Sequence, residues 1–308
     1  MAKIYNSVTE MVGHTPLLRF NRLVAKHKIK ADIMGKCEAY NPAFSVKDRP
    51  ALQMLNAIPA EKITPDTVFV EATSGNMGIG LAAMCAAKGY KLVILMPENM
   101  SKERVKLMRF LGAEVILTPA EEGMAGAVKK AEMLAEKNKN VIMLKQFENQ
   151  NNPQAHTFGT AMELIEDTGG NIDALVCGVG TSGTLSGITA ALKTCNPDLY
   201  VVAAEPDESK VLEGGEAGAH KIPGIGANFV PPLYKSEQVD EVIAVPSEEA
   251  FNTAREVATT EGLLIGISAG AAVWAALQLG KRHEMHGKNI VVVLPDSIER
   301  YLSLRYFD

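Results

Sequence analysis

The sequence predicts a doubly wound α/β protein built as two domains. Three observations carry that expectation. Short β-branched runs alternate with segments of helical period through most of the 308 residues. The runs are continuously apolar rather than alternating, which is the pattern of parallel strands covered on both faces. The length also fits two domains at about 150 residues each, and 47% hydrophobic with 22% charged residues is an ordinary globular composition.

Taken in order, Asn41-Pro42 marks a turn, and a helix begins shortly afterwards with Pro50 in its first turn, where the missing N–H costs nothing. A strand is predicted at 67–71, a helix at 77–88 and a strand at 92–96. Ser101 is the expected N-cap of a helix at 102–111, with Glu103 in its first turn and Gly112 as its stop. A strand at 114–118, a helix at 126–137 and a strand at 141–144 complete the first half. The alternation falters between 146 and 170, a polar passage followed by a new helix, and is read as the crossing between domains. It resumes with a strand at 174–179, a helix at 185–193 and a strand at 200–204. A Gly- and Pro-rich stretch at 213–232 is predicted to be a long loop over a cleft. A strand at 241–245 leads to a helix at 248–261, capped by Ser247 and stopped by Gly262. Leu263-Leu264-Ile265 reads as a short strand before an Ala-rich helix at 269–279, and 290–294 is the last strand.

The balance of charge narrows the partners. Lys plus Arg is 31, Asp plus Glu is 36, the formal net charge is −5, and no basic run is present. Neither nucleic acid nor an anionic membrane is expected to bind. Cys37, Cys85, Cys177 and Cys195 lie far apart with no CxxC pair, so a reduced cytosolic protein without structural zinc is expected. The first sixteen residues carry no secretory-signal pattern. Residues 262–280 are uncharged, but four glycines, Ser268 and Gln278 favour buried globular structure over a bilayer span.

Four segments could carry chemistry. Gly178-Val179-Gly180-Thr181-Ser182-Gly183 follows an apolar strand and opens a helix. Read literally it is a dinucleotide fingerprint, with Glu205 as the ribose ligand of an NAD-dependent dehydrogenase. It is equally readable as a glycine-bearing βα turn. A third reading fits the side chains better: Thr181, Ser182 and Thr184 place three hydroxyls beside backbone N–H groups at a helix N-terminus, a cup suited to a terminal phosphate. Thr73-Ser74-Gly75-Asn76-Met77-Gly78 lies between a strand and a helix and is a second anion site by the same physics, against the alternative that Ser74 or Asn76 merely caps the helix. Lys47, between Val46 and the mouth of the Pro50 helix, is either a solvated lysine or an amine whose pKa burial lowers into the range of a nucleophile or base. Ser268, in Gly266-Ile267-Ser268-Ala269-Gly270, is either a satisfied cap or a ligand contact. His283 and His286 read as a solvated helix end.

In this order the four segments resemble those of the cysteine synthase and cystathionine β-synthase family, pyridoxal-phosphate enzymes of fold type II with the tryptophan-synthase-β-like architecture. The resemblance runs from Gly13-His14-Thr15-Pro16 through Pro97-Glu98-Asn99-Met100-Ser101 and Gly224-Ile225-Gly226 to Glu299-Arg300-Tyr301-Leu302-Ser303. It implies that Lys47 holds pyridoxal 5′-phosphate as a Schiff base and serves as the general base, and that Asn76 bonds the ring 3′-oxygen. Gly180, Thr181, Ser182, Gly183 and Thr184 would cradle the phosphate, and Ser268 would face the ring nitrogen. Thr73, Ser74, Gly75, Asn76 and Met77 would receive the substrate carboxylate with Gln146, and Asn228 would line the substrate side. The implied fold is two doubly wound α/β domains with the cofactor in the cleft between them: residues 1–12 and 35–145 as the smaller, mobile domain, 13–34 and 146–308 as the larger.

The implied reaction is β-replacement on an activated serine through an aminoacrylate, with O-acetylserine and sulfide giving cysteine and acetate. The alternatives are release of hydrogen sulfide from cysteine with formation of serine or lanthionine, and cystathionine synthesis. A cytoplasmic homodimer, with serine acetyltransferase as a possible partner and no C-terminal regulatory module, is the further expectation. Three features depart from the family pattern on the substrate side: Met77 stands where Thr is usual, Asn228 where Gly is usual, and Gly159-Thr160-Ala161-Met162 replaces Thr-Thr-Gly-Pro. Ser182 and Ala269 are milder exchanges.

Overall fold

The computed structural model describes residues 4–304, and the chain divides into two units: Met1–Val12 with Lys47–Asn152, and Gly13–Val46 with Pro153–Asp308. Among the described residues ten strands are formed, β1 (Leu17–Arg19), β2 (Asp32–Cys37), β3 (Val68–Ala72), β4 (Lys91–Pro97), β5 (Glu114–Thr118), β6 (Val141–Met143), β7 (Ala174–Gly178), β8 (Tyr200–Pro206), β9 (Glu241–Val245) and β10 (Asn289–Leu294). The helices are α1 (Asn21–Lys26), α2 (Asp48–Asn56), α3 (Asn76–Lys88), α4 (Lys102–Phe110), α5 (Gly123–Lys137) and α6 (Asn151–Ala155), then α7 (Ala161–Thr168), α8 (Gly183–Cys195), α9 (Ser247–Glu261) and α10 (Ile267–Gly280). A π-helical turn, His156–Thr160, joins α6 to α7.

In the second unit six strands run in the order β1-β2-β10-β7-β8-β9. All neighbours are parallel except β1, which pairs antiparallel with β2. The alternation of side chains across this sheet explains its continuous apolar runs. Ala174, Val176, Val202, Ala204, Ile290 and Val292 face one core with α9, α10 and Leu23 of α1. Leu175, Cys177, Val201, Ala203, Val291 and Val293 face the other, packed on Ala161 and Leu164 of α7 and Leu185 and Ile188 of α8. Both faces are covered, so both must be apolar. The uncharged 262–280 stretch has the same cause: α10 buries all of its side chains but Trp274 and Gln278. Among the described residues no helix is long and apolar enough to cross a membrane.

The first unit holds four parallel strands in the order β5-β4-β3-β6. Val70 and Leu95 pack on Ala127 and Ala131 of α5. The Ser101 hydroxyl caps α4, accepting the Arg104 N–H at 3.4 Å, and Gly262 ends α9 at φ +72.

Several local readings change. Residues 263–265 join no strand, because no sheet edge pairs with them. Ser247 is the first residue of α9 rather than its cap, and its hydroxyl instead accepts the Lys221 N–H at 3.0 Å. Residues 35–46 lie in the second unit, since β2 pairs residue by residue with β10, while 146–152 lie in the first. Strand β2 escaped the sequence reading because Asp32 and Lys36 interrupt its apolar character. Lys36 is nevertheless fully buried, held by the Thr15 carbonyl at 2.7 Å and by Glu163 and Asp167 at 3.0 and 3.1 Å.

Candidate active site

In the first unit, Lys47 is the N-cap of α2, and its carbonyl accepts the Ala51 N–H at 3.0 Å. Helix α3 crosses close to it because Gly80 has no side chain: a Cβ there would come within 3.1 Å of the Lys47 carbonyl oxygen. One turn before Gly80, α3 starts at Asn76 with no side chain capping it, although Ser74 and Asn76 are both at hand. The first N–H groups of such a helix face outward with the positive end of its dipole. Gly75 carries this further, since a Cβ at that position would meet nothing within 4 Å.

Around this loop, Thr73 is buried and its Oγ1 accepts the Gly75 N–H at 3.3 Å. Arg104 of α4 donates from Nη1 to the Ser74 carbonyl at 3.1 Å. Met77 is 1% exposed, so the position that departs from the family pattern points its side chain into the protein and offers only its backbone to the loop. Gln146 is buried beside Glu71, whose carboxylate accepts the N–H groups of Lys145 at 2.8 Å and Gln146 at 3.3 Å.

In the second unit, α8 starts at Gly183 without a side-chain cap, and the preceding Ser182 is left-handed at φ +68. Thr181 is buried, and its Oγ1 accepts the Gly183 N–H at 3.3 Å. The Thr184 hydroxyl lies 3.2 Å from Nε2 of His156, a buried histidine of the π-helical turn whose Nδ1 meets Thr160 at 2.9 Å. The Ser186 hydroxyl donates to the Leu233 carbonyl at 2.8 Å, so the Ser182 hydroxyl donates its own proton to Ser186 at 3.0 Å.

The glycines of the cup are there for close approach. A Cβ on Gly180 would fall 2.4 Å from the Gly224 carbonyl oxygen, and Gly226 N–H donates to the Val179 carbonyl at 3.0 Å. Gly224, at φ +96, in turn faces Ser268: its Cβ direction ends 3.7 Å from the Ser268 hydroxyl oxygen. Ser268 is buried in the first turn of α10, a helix again without a side-chain cap, and among the described residues its hydroxyl has no hydrogen-bond partner. Asn228 is left-handed at φ +65, and its Oδ1 accepts the Ser209 hydroxyl at 2.9 Å.

Two competing chemistries lose their residues. Glu205 is buried and its carboxylate is spent on the N–H groups of Leu212 at 2.8 Å and Glu213 at 3.3 Å, leaving no ribose ligand for a dinucleotide. Burial pushes the thiols of Cys37 and Cys85 up to about 11 and about 12 and raises Cys177 as well, so these cysteines are inert packing residues rather than nucleophiles. Among the described residues no group of His, Cys, Asp or Glu is arranged to hold a metal.

The residues fit pyridoxal phosphate: an uncapped helix start with buried hydroxyls for a phosphate, and a buried neutral hydroxyl for a ring nitrogen. The family model described as pyridoxal-phosphate dependent enzyme matches residues 8–296. The chain is 47% identical over 303 residues to the cysteine synthase of Staphylococcus aureus, covering 98% of this chain and 96% of that one. The chain belongs to the cysteine synthase family of pyridoxal-phosphate-dependent enzymes. Its structure superposes on the cysteine synthase of Entamoeba histolytica with a TM-score of 0.95 at 40% identity, covering 98% of this chain and 90% of that one. A hydrogen sulfide-producing enzyme from Fusobacterium nucleatum matches with a TM-score of 0.93 at 41% identity over 98% of this chain and 99% of that one. The dehydrogenase reading is thereby overturned.

Several residues that hydrogen-bond the candidate segments escaped the sequence reading: Glu71, Arg104, Asn152 and His156. Of these only Glu71 left a signal, a carboxylate within the apolar strand Val68–Ala72. The others matter through contacts 28 or more positions away or through loop backbone, which no local pattern encodes.

Proposed function

We propose that the protein makes cysteine by β-replacement, exchanging the acetoxy group of O-acetylserine for sulfide and releasing acetate. The observation that supports this most is the uncapped start of α3 beside Lys47, with open space at Gly75, in a chain that matches cysteine synthases along its length. When bound, pyridoxal phosphate supplies the electron sink that acidifies the amino-acid Cα–H and lets the β-substituent leave.

The chain's own residues divide the remaining work. Lys47 would hold the cofactor through its amine and, with that amine free, would take the Cα proton. The first-turn N–H groups of α8, with Thr181, Thr184, Gly180, Gly183 and the Ser182 backbone, hold the phosphate. Asn76 would bond the 3′-oxygen. Ser268 would offer the ring nitrogen a neutral hydroxyl rather than a carboxylate, a weaker support for the electron sink. Thr73, Ser74, Gly75, Asn76, Met77 and Gln146 receive the substrate carboxylate, the Met77 contribution coming from its backbone. Asn228 faces the substrate side with its amide nitrogen, its oxygen being held by Ser209.

A second reading has the same machinery release hydrogen sulfide from cysteine, forming serine or lanthionine; the likeness to the Fusobacterium enzyme and the polar Asn228 favour it. Cystathionine synthesis is the third member of the set. Purified protein is expected to be yellow and to lose its colour in Lys47→Ala. Sulfide consumed with O-acetylserine, compared with sulfide released from cysteine, separates the first two readings; rapid release with negligible synthesis overturns the first.

The assembly belongs to the same proposal. Tyr40, Phe44, Phe158 and Met162 of the second unit are large and exposed, and a homodimer is the state that would cover such side chains. Light scattering on the purified protein tests it. All four cysteines are free, which suits the cytoplasm, where serine acetyltransferase would be the partner to try by co-purification.

A further inference from the structure

Glu71 lies in β3, two residues before Thr73, and is 4% exposed. Its carboxylate is spent entirely on one short loop. Oε2 accepts the Lys145 N–H at 2.8 Å, Oε1 accepts the Gln146 N–H at 3.3 Å, and the Gln146 side chain donates to it as well. Lys145 makes this convergence possible by adopting φ +54, the left-handed turn that aims successive N–H groups at one anion. The Gln146 carbonyl is fixed from the other side by Nδ2 of Asn152 at 2.8 Å, and the Leu144 carbonyl by Nδ2 of Asn149 at 2.8 Å. The residue that follows β3 is tied to β4, the Thr73 N–H donating to the Leu95 carbonyl at 3.0 Å.

This is a costly way to latch two strand ends together. Among the described residues no cation pairs with Glu71; the nearest in sequence on the loop, Lys145, turns its amine to Glu148 at 3.6 Å. A buried carboxylate without a counter-charge loses much solvation, whereas a hydroxyl or amide would satisfy one N–H far more cheaply. What the carboxylate achieves, and a smaller group would not, is to hold both N–H groups and the side chain of Gln146 at once.

We infer that Glu71 is a positioning residue for the amino-acid substrate: it fixes Gln146 relative to the Thr73–Met77 loop and so sets the spacing of the two segments that receive the substrate carboxylate. The inference rests on the substrate-binding reading given under Proposed function.

The test uses the pyridoxal-phosphate-loaded enzyme with L-serine as the binding probe, measured by isothermal titration calorimetry, together with steady-state kinetics for O-acetylserine. Glu71→Ala should raise the serine Kd and the KM for O-acetylserine about tenfold while kcat changes less than about threefold, the pattern of lost uniform binding. Glu71→Gln, which keeps one acceptor oxygen and the shape, provides the same readout if the alanine variant does not fold. Adding Lys145→Gly separates positioning from mere stability, because glycine relieves the left-handed backbone. Under the inference the added glycine restores the melting temperature of Glu71→Gln but not its Kd. Recovery of both together, or an unchanged Kd in the single variants, overturns the positioning role and leaves the function standing. A wild-type enzyme that binds neither serine nor O-acetylserine overturns the functional reading and this inference with it.

Discussion

Arg104 Nη1 donates to the carbonyl oxygen of Ser74 at 3.1 Å, a side chain of α4 holding the backbone of the loop that opens α3. Removing that donor leaves a loop carbonyl without its partner and a loop free to rotate its N–H groups out of line. Arg104→Ala is expected to lower stability by about 1 kcal/mol and to raise the KM for O-acetylserine several-fold, with Arg104→Lys intermediate because lysine retains one donor. Chemical unfolding and initial-rate kinetics on the three proteins check both parts.

The buried Glu71 makes stability depend on pH. Burial is the main cause that lifts its carboxyl to about 7, opposed by the two backbone N–H bonds and the Gln146 side chain. Below pH 4.5 the carboxyl is protonated in folded and unfolded chains alike. Between 4.5 and about 7 the unfolded chain has lost the proton and the folded chain has kept it, so rising pH favours unfolding; above that the cost is constant. The full loss amounts to roughly 3 kcal/mol at 1.36 kcal/mol per unit. Urea unfolding at pH 5 and pH 8 should therefore show wild type losing more stability than Glu71→Gln over that interval. Equal losses would contradict it.

Two glycines of the site should respond oppositely to alanine. At Gly180 the new methyl meets the backbone oxygen of Gly224 at 2.4 Å, and a backbone cannot swing away as a side chain would. Gly180→Ala is expected to displace the 224–226 loop, destabilise the second unit by about 1–3 kcal/mol and weaken cofactor retention, read from absorbance after dialysis. Gly75 is extended at φ −119 with open space around it, so Gly75→Ala should leave stability within about 0.5 kcal/mol of wild type while weakening amino-acid binding.

Asn228→Gly sets two small terms against each other. Glycine relieves the left-handed φ of +65, by about 1 kcal/mol, and the 2.9 Å bond to Ser209 is lost at similar cost. Stability should move by less than about 1 kcal/mol, while the ratio of sulfide release to cysteine synthesis should change. A ratio identical to wild type would remove Asn228 from the substrate side.

Most of the sheet framework was legible because its cause is local: strands covered on both faces must be continuously apolar, and eight of them announce themselves that way. The pair β1 and β2 was not, because Lys36 is buried on the strength of Glu163 and Asp167, more than a hundred residues away. The site shows the same division. Lys47, the Thr73–Met77 loop, the Gly180–Thr184 cup and Ser268 stand at helix starts that punctuation reveals. The direction of each side chain does not follow from punctuation, so Met77 turning inward and Ser182 turning to Ser186 emerged only from packing. Glu71, Arg104 and His156 act on groups already in place, and nothing in their neighbours' types foretells which carbonyl, amide or hydroxyl they reach.

The register of β2 against β10 also bears on how the chain acquires its structure. Asp32 lies opposite Asn289, so one of the first strands to leave the ribosome has to wait for the last one before its parallel neighbour exists. Closing a loop on the order of 250 residues costs roughly 5 kcal/mol of chain entropy before any hydrogen bond repays it. Until then β2 can pair only with β1, three residues long, and a two-stranded ribbon is marginal by itself. The six-stranded sheet therefore cannot be completed until Asn289–Leu294 has been made, and a nascent chain stalled before Asn289 should remain sensitive to protease across residues 17–37.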